Sequence, residues 1–170
     1  MQKGMFSEIN HLLVDIFRSI LSVEEQTLRT TRLDLNIGEL HILETIGQHC
    51  RKDNAGCSMS QIAQDQEITL PSATVAIQKL EKKGFVQKVR SKKDARVVRV
   101  TLTRMGRRAD AAHRYFHEQM VRSLLREASD EQAPVLLSAL KNLNEFVHRQ
   151  AAEATALNQS IRPAGKKALS

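Results

Sequence analysis

The sequence predicts a mainly helical protein that carries one small β-hairpin. Three observations lead to this fold class. Apolar residues recur every three or four positions near both ends of the chain, which is the spacing of one helix face. Two short segments that begin with helix-capping residues lie between these ends, separated by a tight turn. Over residues 85–102 the apolar period changes to two and valine becomes frequent, as in strands.

The N-terminal part predicts two helices. Apolar residues between Met5 and Leu21 fall on one helix face, which places a first amphipathic helix over about 5–30. A second helix is expected over about 38–49, with Asn36 ahead of it as a cap. The segment CRKDNAGCS that follows is polar and contains asparagine and glycine, so we expect a loop there.

The next two helices are short and form a helix-turn-helix pattern. Ser58 and Gln61 fit a capping box, in which each side chain bonds the backbone of the other residue, and this helix ends near Asp65. Thr69 is placed to cap a second short helix, which Gly84 ends by supplying a left-handed residue. Two helices joined by so tight a turn are typical of this motif.

The last part of the chain predicts a hairpin and two long helices. Strands are expected over 85–90 and 96–102, joined by the polar and basic segment SKKDA. A long helix then starts at Thr103, and Ser129 with Gln132 forms a second capping box for a last helix. The resulting order is a winged helix-turn-helix flanked by helices from both ends of the chain.

The composition is that of a globular protein, with 41% hydrophobic and 26% charged residues in a chain of 170. This length predicts one domain over about 1–154 and a flexible tail over 155–170. No apolar run approaches the roughly 20 residues that span a bilayer, and the start of the chain does not look like a secretion signal. We therefore expect a cytoplasmic protein without a membrane partner, in which Cys50 and Cys57 are loop thiols without a redox role.

The net charge of +7 is concentrated in one part of the chain. Twelve basic and two acidic residues lie between Lys79 and Arg108, so this segment carries +10 and the remainder −3. Such a concentration indicates a polyanionic partner, and double-stranded DNA suits a helix-turn-helix. No catalytic triad order, glycine-rich phosphate loop or paired-carboxylate motif is present, so we expect no enzymatic activity. An architectural DNA-binding protein is the alternative from a different class.

Three blocks of sequence resemble the MarR family of transcriptional regulators over about residues 6–150. They are SMSQIA, TLPSATVAIQKLEKKGFV and RSKKDARVVRVTLTRMGRR, in this order. In the last block, Asp94-Ala95-Arg96 stands where the family has Asp-Arg-Arg or Asp-x-Arg. The resemblance implies a homodimeric regulator, expected to be a repressor, that binds a pseudo-palindromic operator. It also implies a DNA-binding lobe over about 35–103 and dimerisation helices over about 5–34 and 104–154.

The same resemblance implies which residues contact DNA. Residues on the second short helix would face base edges or nearby phosphates, while Arg96 would enter the minor groove with Asp94 holding its guanidinium. Val75 departs from the family, because many members carry arginine at its position, and an apolar contact with a thymine methyl is one replacement. The implied DNA-contacting residues are Ser60, Gln61, Thr69, Ser72, Thr74, Gln78, Lys79, Arg90, Lys92, Lys93, Asp94 and Arg96.

Within the family, three further segments are similar to the subgroup of fatty-acid biosynthesis repressors: LVDIFRSILSVEEQ, HILETIGQH and FHEQMVRSLL. This similarity implies a long acyl chain, carried on acyl carrier protein, as an effector that strengthens DNA binding; no cofactor is required. The effector pocket would lie between the first, second and fifth helices. Its expected residues are Ile16, Phe17, Ile20, His41, Leu43, His113, Phe116, His117 and Met120.

Histidines leave a second kind of effector open. His113 and His117 are one helical turn apart, a spacing that suits a metal ion, and His41 lies on the second helix. Zinc-responsive relatives in the family place ligands at similar positions. A further acidic ligand would have to come from near Glu24, Glu25 or Glu39, and the sequence does not single one out, so no metal is expected and the histidines are taken as structural. Phenolic acids in the same cleft also stay open.

Overall fold

A computed structural model describes residues 2–53, 56–90 and 98–161. Over these ranges the chain has six helices and two strands and is mainly helical, which confirms the predicted fold class. The elements are α1 (Gln2–Thr30), α2 (Ile37–Asp53), α3 (Met59–Asp65), α4 (Leu70–Lys82), β1 (Val86–Arg90), β2 (Val98–Leu102), α5 (Arg104–Leu125) and α6 (Gln132–Ile161).

The chain divides into two compact units, Met1–Glu118 and Gln119–Ser170. The single domain over 1–154 that the sequence indicates stays a prediction. The first unit contains the helix-turn-helix and the wing, which share one core. The second contains the end of α5 and the whole of α6. A sequence of continuous helices does not reveal this division, because it depends on which helix faces are covered.

The core of the first unit joins α2, α3, α4 and β2. Its most completely buried side chains are Leu43, Ile46, Cys57, Ile62, Ile77, Leu80 and Val100. Because these residues come from several elements, α4 and the wing pack on one apolar cluster. The fixed core therefore sets the position of every side chain on the outer face of α4.

Helix caps define the helix-turn-helix as the sequence predicted. Ser58 Oγ accepts from the backbone N–H of Gln61 at 3.2 Å, and the Gln61 side chain accepts from the Ser58 N–H at 2.8 Å. Thr69 Oγ1 accepts from the Ser72 N–H at 3.3 Å. The chain leaves α4 through Gly84, whose φ of 80° lies in the left-handed region that favours glycine.

The wing is a two-stranded antiparallel sheet in which Val86 pairs with Leu102 and Arg90 pairs with Val98. Cys57 adds an isolated bridge to Val100, through backbone hydrogen bonds of 3.1 and 2.8 Å. Cys57 is therefore buried against the wing and Cys50 lies within α2, so the prediction that both are loop thiols is wrong. The wing tip, residues 91–97, lies outside the described residues.

Two helices are longer than predicted. Helix α2 continues to Asp53, and in this added turn Arg51 forms an ion pair with Asp110 on α5. Helix α6 continues to Ile161, although the sequence placed the start of a tail at 155. The alanine-rich stretch before Ile161 has high helix propensity without an amphipathic period, which explains the misplaced boundary. The rest of the predicted tail, 162–170, lies outside the described residues.

Each unit also exposes apolar helix surface. In the first unit, α1 exposes seven large apolar side chains along one face: Met5, Phe6, Ile9, Leu12, Leu13, Ile16 and Phe17. In the second, the capped start of α6 and the end of α5 form an apolar groove of about 540 Å³. Of the helices in the described ranges, none combines the length and hydropathy needed to cross a membrane.

Candidate nucleic-acid interface and histidine cluster

Helix α4 has one face in the core and one in solvent. Ala73, Ile77 and Leu80 are buried, and they recur at the spacing of one face. The opposite face exposes Ser72, Val75, Gln78, Lys79 and Lys82. A helix that is anchored by its apolar side and presents short polar and basic side chains on the other can enter a major groove.

Two hydroxyls on α4 are engaged in hydrogen bonds within the helix start. Ser72 Oγ lies 2.8 Å from Thr69 Oγ1, so these two predicted DNA-contacting residues are joined to each other. Thr74 Oγ1 donates to the Leu70 carbonyl at 2.8 Å. Gln78 and Lys79 are exposed, and their side chains have no hydrogen-bond partner among the residues that the structure describes.

The preceding helix, α3, places its two predicted contact residues near its own start. Ser60 is exposed, with Oγ 3.0 Å from Ser58 Oγ. Gln61 is half-buried, and its side-chain carbonyl is used by the capping box. A hydroxyl and an amide N–H at this position remain available to a phosphate, as expected for a helix that crosses the DNA backbone.

The basic residues from Lys79 to Arg108 divide into paired and unpaired groups. Lys83 pairs with Glu39 at 2.8 Å, a hydrogen bond that raises the pKa of Lys83, and Lys88 pairs with Glu81 at 2.6 Å. Arg99 and Arg107 donate to backbone carbonyls. Within the described part of the chain, the exposed basic residues of this segment that have neither an acidic partner nor a bond to a backbone carbonyl are Lys79, Lys82, Arg90, Arg104 and Arg108. These are the groups available to neutralise phosphates.

Four predicted contact residues belong to the wing tip. Lys92, Lys93, Asp94 and Arg96 lie outside the described residues, so the minor-groove contact of Arg96 and its pairing with Asp94 stay predictions. Arg90 is the last described residue of β1 and is exposed.

A cluster of three histidines and two glutamates lies between α1, α2 and α5. The Glu24 carboxylate is buried and faces all three imidazoles, at 3.7 Å from His41 Nε2, 3.8 Å from His113 Nδ1 and 3.5 Å from His117 Nε2. His113 is also buried, and its Nε2 lies 3.0 Å from His117 Nε2 and 3.2 Å from Glu44 Oε2. The pKa of Glu44 is lowered, chiefly by its hydrogen bond with His113.

The sequence predicts that the three histidines lie near one another, but it does not identify their acidic neighbours. It offers Glu24 only as one of three candidates, and it does not single out Glu44. Glu44 follows His41 by three residues, so both lie on one face of α2, and that spacing was the available signal. Glu24 comes from a different helix, and only the tertiary structure selects it over Glu25, which is exposed and pairs with Arg29 at 3.5 Å.

The residues predicted for an effector pocket lie in different surroundings. Leu43 is part of the fully buried core, whereas Ile16 and Phe17 are 53% and 67% exposed in this single chain. Ile20 and Phe116 are half-buried. Met120, also half-buried, belongs to the second unit. Three open cavities of about 440, 560 and 810 Å³ have other linings, so the effector pocket stays a prediction.

The capped helix-turn-helix, the exposed polar face of α4 and the unpaired cations around the wing define a winged-helix DNA-binding protein. Comparison with known proteins agrees. Residues 28–111 match the family model described as transcriptional regulator SarA/Rot. The HTH-type transcriptional regulator BilQ of Clostridium symbiosum is 31% identical over 114 residues, which are 65% of this chain and 76% of BilQ.

Solved structures give the same result. FabT of Streptococcus pneumoniae, in complex with DNA, is 34% identical with a TM-score of 0.71, over 85% of this chain and 99% of that chain. MepR of S. aureus, in a DNA complex, shares the fold at 19% identity with a TM-score of 0.62, over 80% and 94% of the two chains. The chain therefore belongs to the MarR/SarA family of winged helix-turn-helix transcriptional regulators, and it is a DNA-binding regulator, not an enzyme.

Proposed function

We propose that the protein is a homodimeric repressor that controls fatty-acid biosynthesis genes from a pseudo-palindromic operator, with a long acyl chain on acyl carrier protein as its effector. The observation that carries this proposal is the 34% identity with FabT over 99% of that chain. The segments similar to fatty-acid biosynthesis repressors lie in α1, α2 and α5.

The proposed dimer rests on uncovered apolar surface. The apolar face of α1 is exposed, and on α6 the side chains of Val135, Phe146 and Val147 are each more than 50% exposed. Large contiguous apolar patches are unusual on monomers. A second copy of the chain is the occupant that the family implies. Leu12→Glu should shift the mass measured by light scattering from dimer towards monomer. Ser22→Glu, on the opposite side of α1, should leave the dimer intact; a wild-type monomer at micromolar concentration would contradict the proposal.

The effector is tested by operator binding with and without ligand. Palmitoyl-acyl carrier protein should lower the Kd for an operator selected by the protein, whereas the same carrier without an acyl chain should not. Phe116→Ala should weaken this response more than Tyr115→Ala, because Phe116 is half-buried and its neighbour Tyr115 is 63% exposed. An unchanged Kd with every acyl chain length would remove the acyl carrier from the mechanism.

The wing is tested through Arg96. Arg96→Ala should abolish operator binding and leave the dimer folded, because a guanidinium in the minor groove contributes to affinity without supporting the core. A gel shift with unchanged affinity would exclude the wing. Nuclease footprinting separates the two classes of DNA-binding protein: a regulator should protect one palindrome, whereas an architectural protein should protect the DNA uniformly.

A second candidate effector is zinc, and the histidine cluster is the observation that favours it. Ligand atoms around one tetrahedral zinc lie roughly 3.4 Å apart, given zinc–ligand distances of about 2.1 Å. Two groups of three residues bring their possible ligand atoms within 4.8 Å of one another: Glu24 with His41 and His113, and Glu44 with His113 and His117. In the second group, His113 Nε2 lies 3.0 Å from His117 Nε2 and 3.2 Å from Glu44 Oε2, which is close to this spacing. Carboxylate and imidazole are also the ligand types that zinc binds.

Zinc binding is tested by metal analysis. After incubation with zinc and removal of the unbound ion, the wild type should retain stoichiometric metal, and the half-exposed His117→Ala variant should lose it. Glu25→Gln is the matched control, because Glu25 follows Glu24 but is exposed. Operator affinity measured with zinc and with acyl carrier then separates the two candidates. Failure of the wild type to retain zinc would exclude zinc as the effector.

A further inference from the structure

We propose that Val75 is a specificity-determining residue that reads the 5-methyl group of a thymine in the major groove, one base pair away from an adenine read by Gln78. Val75 is 51% exposed and lies at the centre of the outer face of α4. Ser72 precedes it by one helical turn, and Gln78 and Lys79 follow it by one turn. An apolar side chain thus occupies the middle of a polar and basic DNA-facing surface.

The hydroxyls of Ser72 and Thr74 each have a hydrogen-bond partner within the helix start, Thr69 and the Leu70 carbonyl, respectively. Gln78 carries an amide on the outer face of α4 that has no partner among the described residues. A free glutamine amide forms paired hydrogen bonds with adenine N6 and N7.

Val75 cannot donate or accept a hydrogen bond, so its contribution depends on what it covers. The thymine methyl is the apolar group on the base edges of the major groove. A valine placed over the amino group of cytosine, or over the oxygen of guanine, would desolvate a polar atom without a replacement partner. Val75 therefore favours thymine because it contacts the methyl group, and it disfavours cytosine and guanine because it would desolvate their polar atoms.

Helix geometry sets the spacing of the two readouts. Val75 and Gln78 are three residues apart, about 4.5 Å along the helix axis. Successive base pairs are about 3.4 Å apart. The two side chains therefore reach neighbouring base pairs, and each half-site should contain an A·T pair for each of them.

The experiment starts from the duplex that the wild-type protein selects from a random-sequence pool. Each thymine of that consensus is replaced by uracil, which removes only the methyl group. For the wild type, one thymine per half-site should weaken binding by about fourfold on replacement, the equivalent of one buried methyl group. Val75→Ala should bind the thymine and uracil duplexes with equal Kd at that position. Gln78→Ala should instead relax the choice of the neighbouring adenine.

Two controls separate readout from folding. Val89→Ala truncates another exposed valine, in β1, and should keep the full uracil effect. Val75→Ser replaces both methyl groups by one hydroxyl, and it should lose the effect while the melting temperature and dimer mass stay unchanged. The proposal is overturned if no uracil replacement weakens wild-type binding, if Val75→Ala keeps the same uracil effect as the wild type, or if selection yields no consensus.

Discussion

At the scale of single residues, close approach and buried charge decide which side chains are tolerated. Gly106 lies at the start of α5, where a Cβ would clash with the carbonyl oxygen of Phe85, the residue before β1. A Cβ added at Gly47 would lie 2.6 Å from the Asp110 carboxylate. Both glycines therefore let helices pack closely onto their neighbours, a requirement that sequence patterning does not show.

Gly106→Ala should destabilise the protein by about 3 kcal/mol, because the clash is with backbone and cannot be relieved by moving a side chain. Chemical denaturation measures this loss. Gly4→Ala is the matched control, since a Cβ at Gly4 meets nothing within 4 Å. In that helical position alanine should leave the free energy of unfolding unchanged or raise it by up to about 1 kcal/mol. Equal stability of both variants would contradict the close approach at Gly106.

Glu44 makes stability depend on pH. Its pKa is lowered from 4.5 in the folded protein, mainly by the hydrogen bond from His113, so the unfolded chain binds its proton at higher pH. The stabilising contribution is therefore fully present above about pH 4.5, and it is lost as the pH falls through the lower folded pKa. Glu44→Gln should be less stable than the wild type at pH 6, and the difference should shrink below pH 4.5.

Denaturation curves between pH 3 and pH 7 measure this difference. Glu25→Gln, which alters an exposed carboxylate in a surface ion pair, should differ from the wild type by less than about 0.5 kcal/mol over the same range. A Glu44→Gln difference that does not vary with pH would show that the carboxylate gains nothing from His113.

At the scale of elements, caps and buried ion pairs hold the helices in place. Capping boxes at Ser58 and Ser129 involve residues only three apart, so the sequence predicted them correctly. The ion pairs that join elements span longer separations: Lys83 joins the end of α4 to Glu39 on α2, and Arg51 joins α2 to Asp110 on α5. Such pairs were not predictable, because their two members are far apart in the chain.

The Arg51–Asp110 pair should respond asymmetrically to substitution. The Asp110 side chain is 5% exposed and its Oδ1 has no hydrogen-bond partner within the described structure, whereas Arg51 is 39% exposed. Arg51→Ala leaves a buried carboxylate without its cation and should cost about 3 kcal/mol. Asp110→Asn leaves a guanidinium that water can reach, and it should cost about 1 kcal/mol.

Urea denaturation of the two single variants and the double variant measures the asymmetry. The double variant should recover part of the stability lost in Arg51→Ala, because its buried group is neutral. If Arg51→Ala costs no more than Asp110→Asn, the buried carboxylate does not depend on its partner.

At the scale of the whole molecule, the excess of basic residues is concentrated in one segment of the chain. The segment from Lys79 to Arg108 carries +10 and includes the C-terminal end of α4, both strands and the start of α5, while the rest carries −3. Because several of its cations have no acidic partner among the described residues, DNA binding should depend steeply on salt concentration.

Arg90→Ala should reduce the slope of log K against log salt by about 1 for each protomer, since the exposed guanidinium neutralises one phosphate. Fluorescence anisotropy over a series of salt concentrations measures the slope. Arg114→Ala is the matched control, because Arg114 is also exposed but lies outside the basic segment and pairs with Glu118 at 3.3 Å. A slope that Arg90→Ala leaves unchanged would exclude Arg90 from the phosphate contacts.

The sequence by itself determined the helix-turn-helix, the wing and the basic segment, because caps, turns and periodicity act over a few residues and leave local signals. Glu24 and Glu44, the Arg51–Asp110 pair and the division into two units depended on the tertiary structure. Each of them arises when side chains distant in the chain meet in a low-dielectric interior, where partners decide whether a charge is tolerated. Local patterns predicted the DNA-facing surface; packing decided which of its cations are paired with an acid, as Lys83 is with Glu39 on α2.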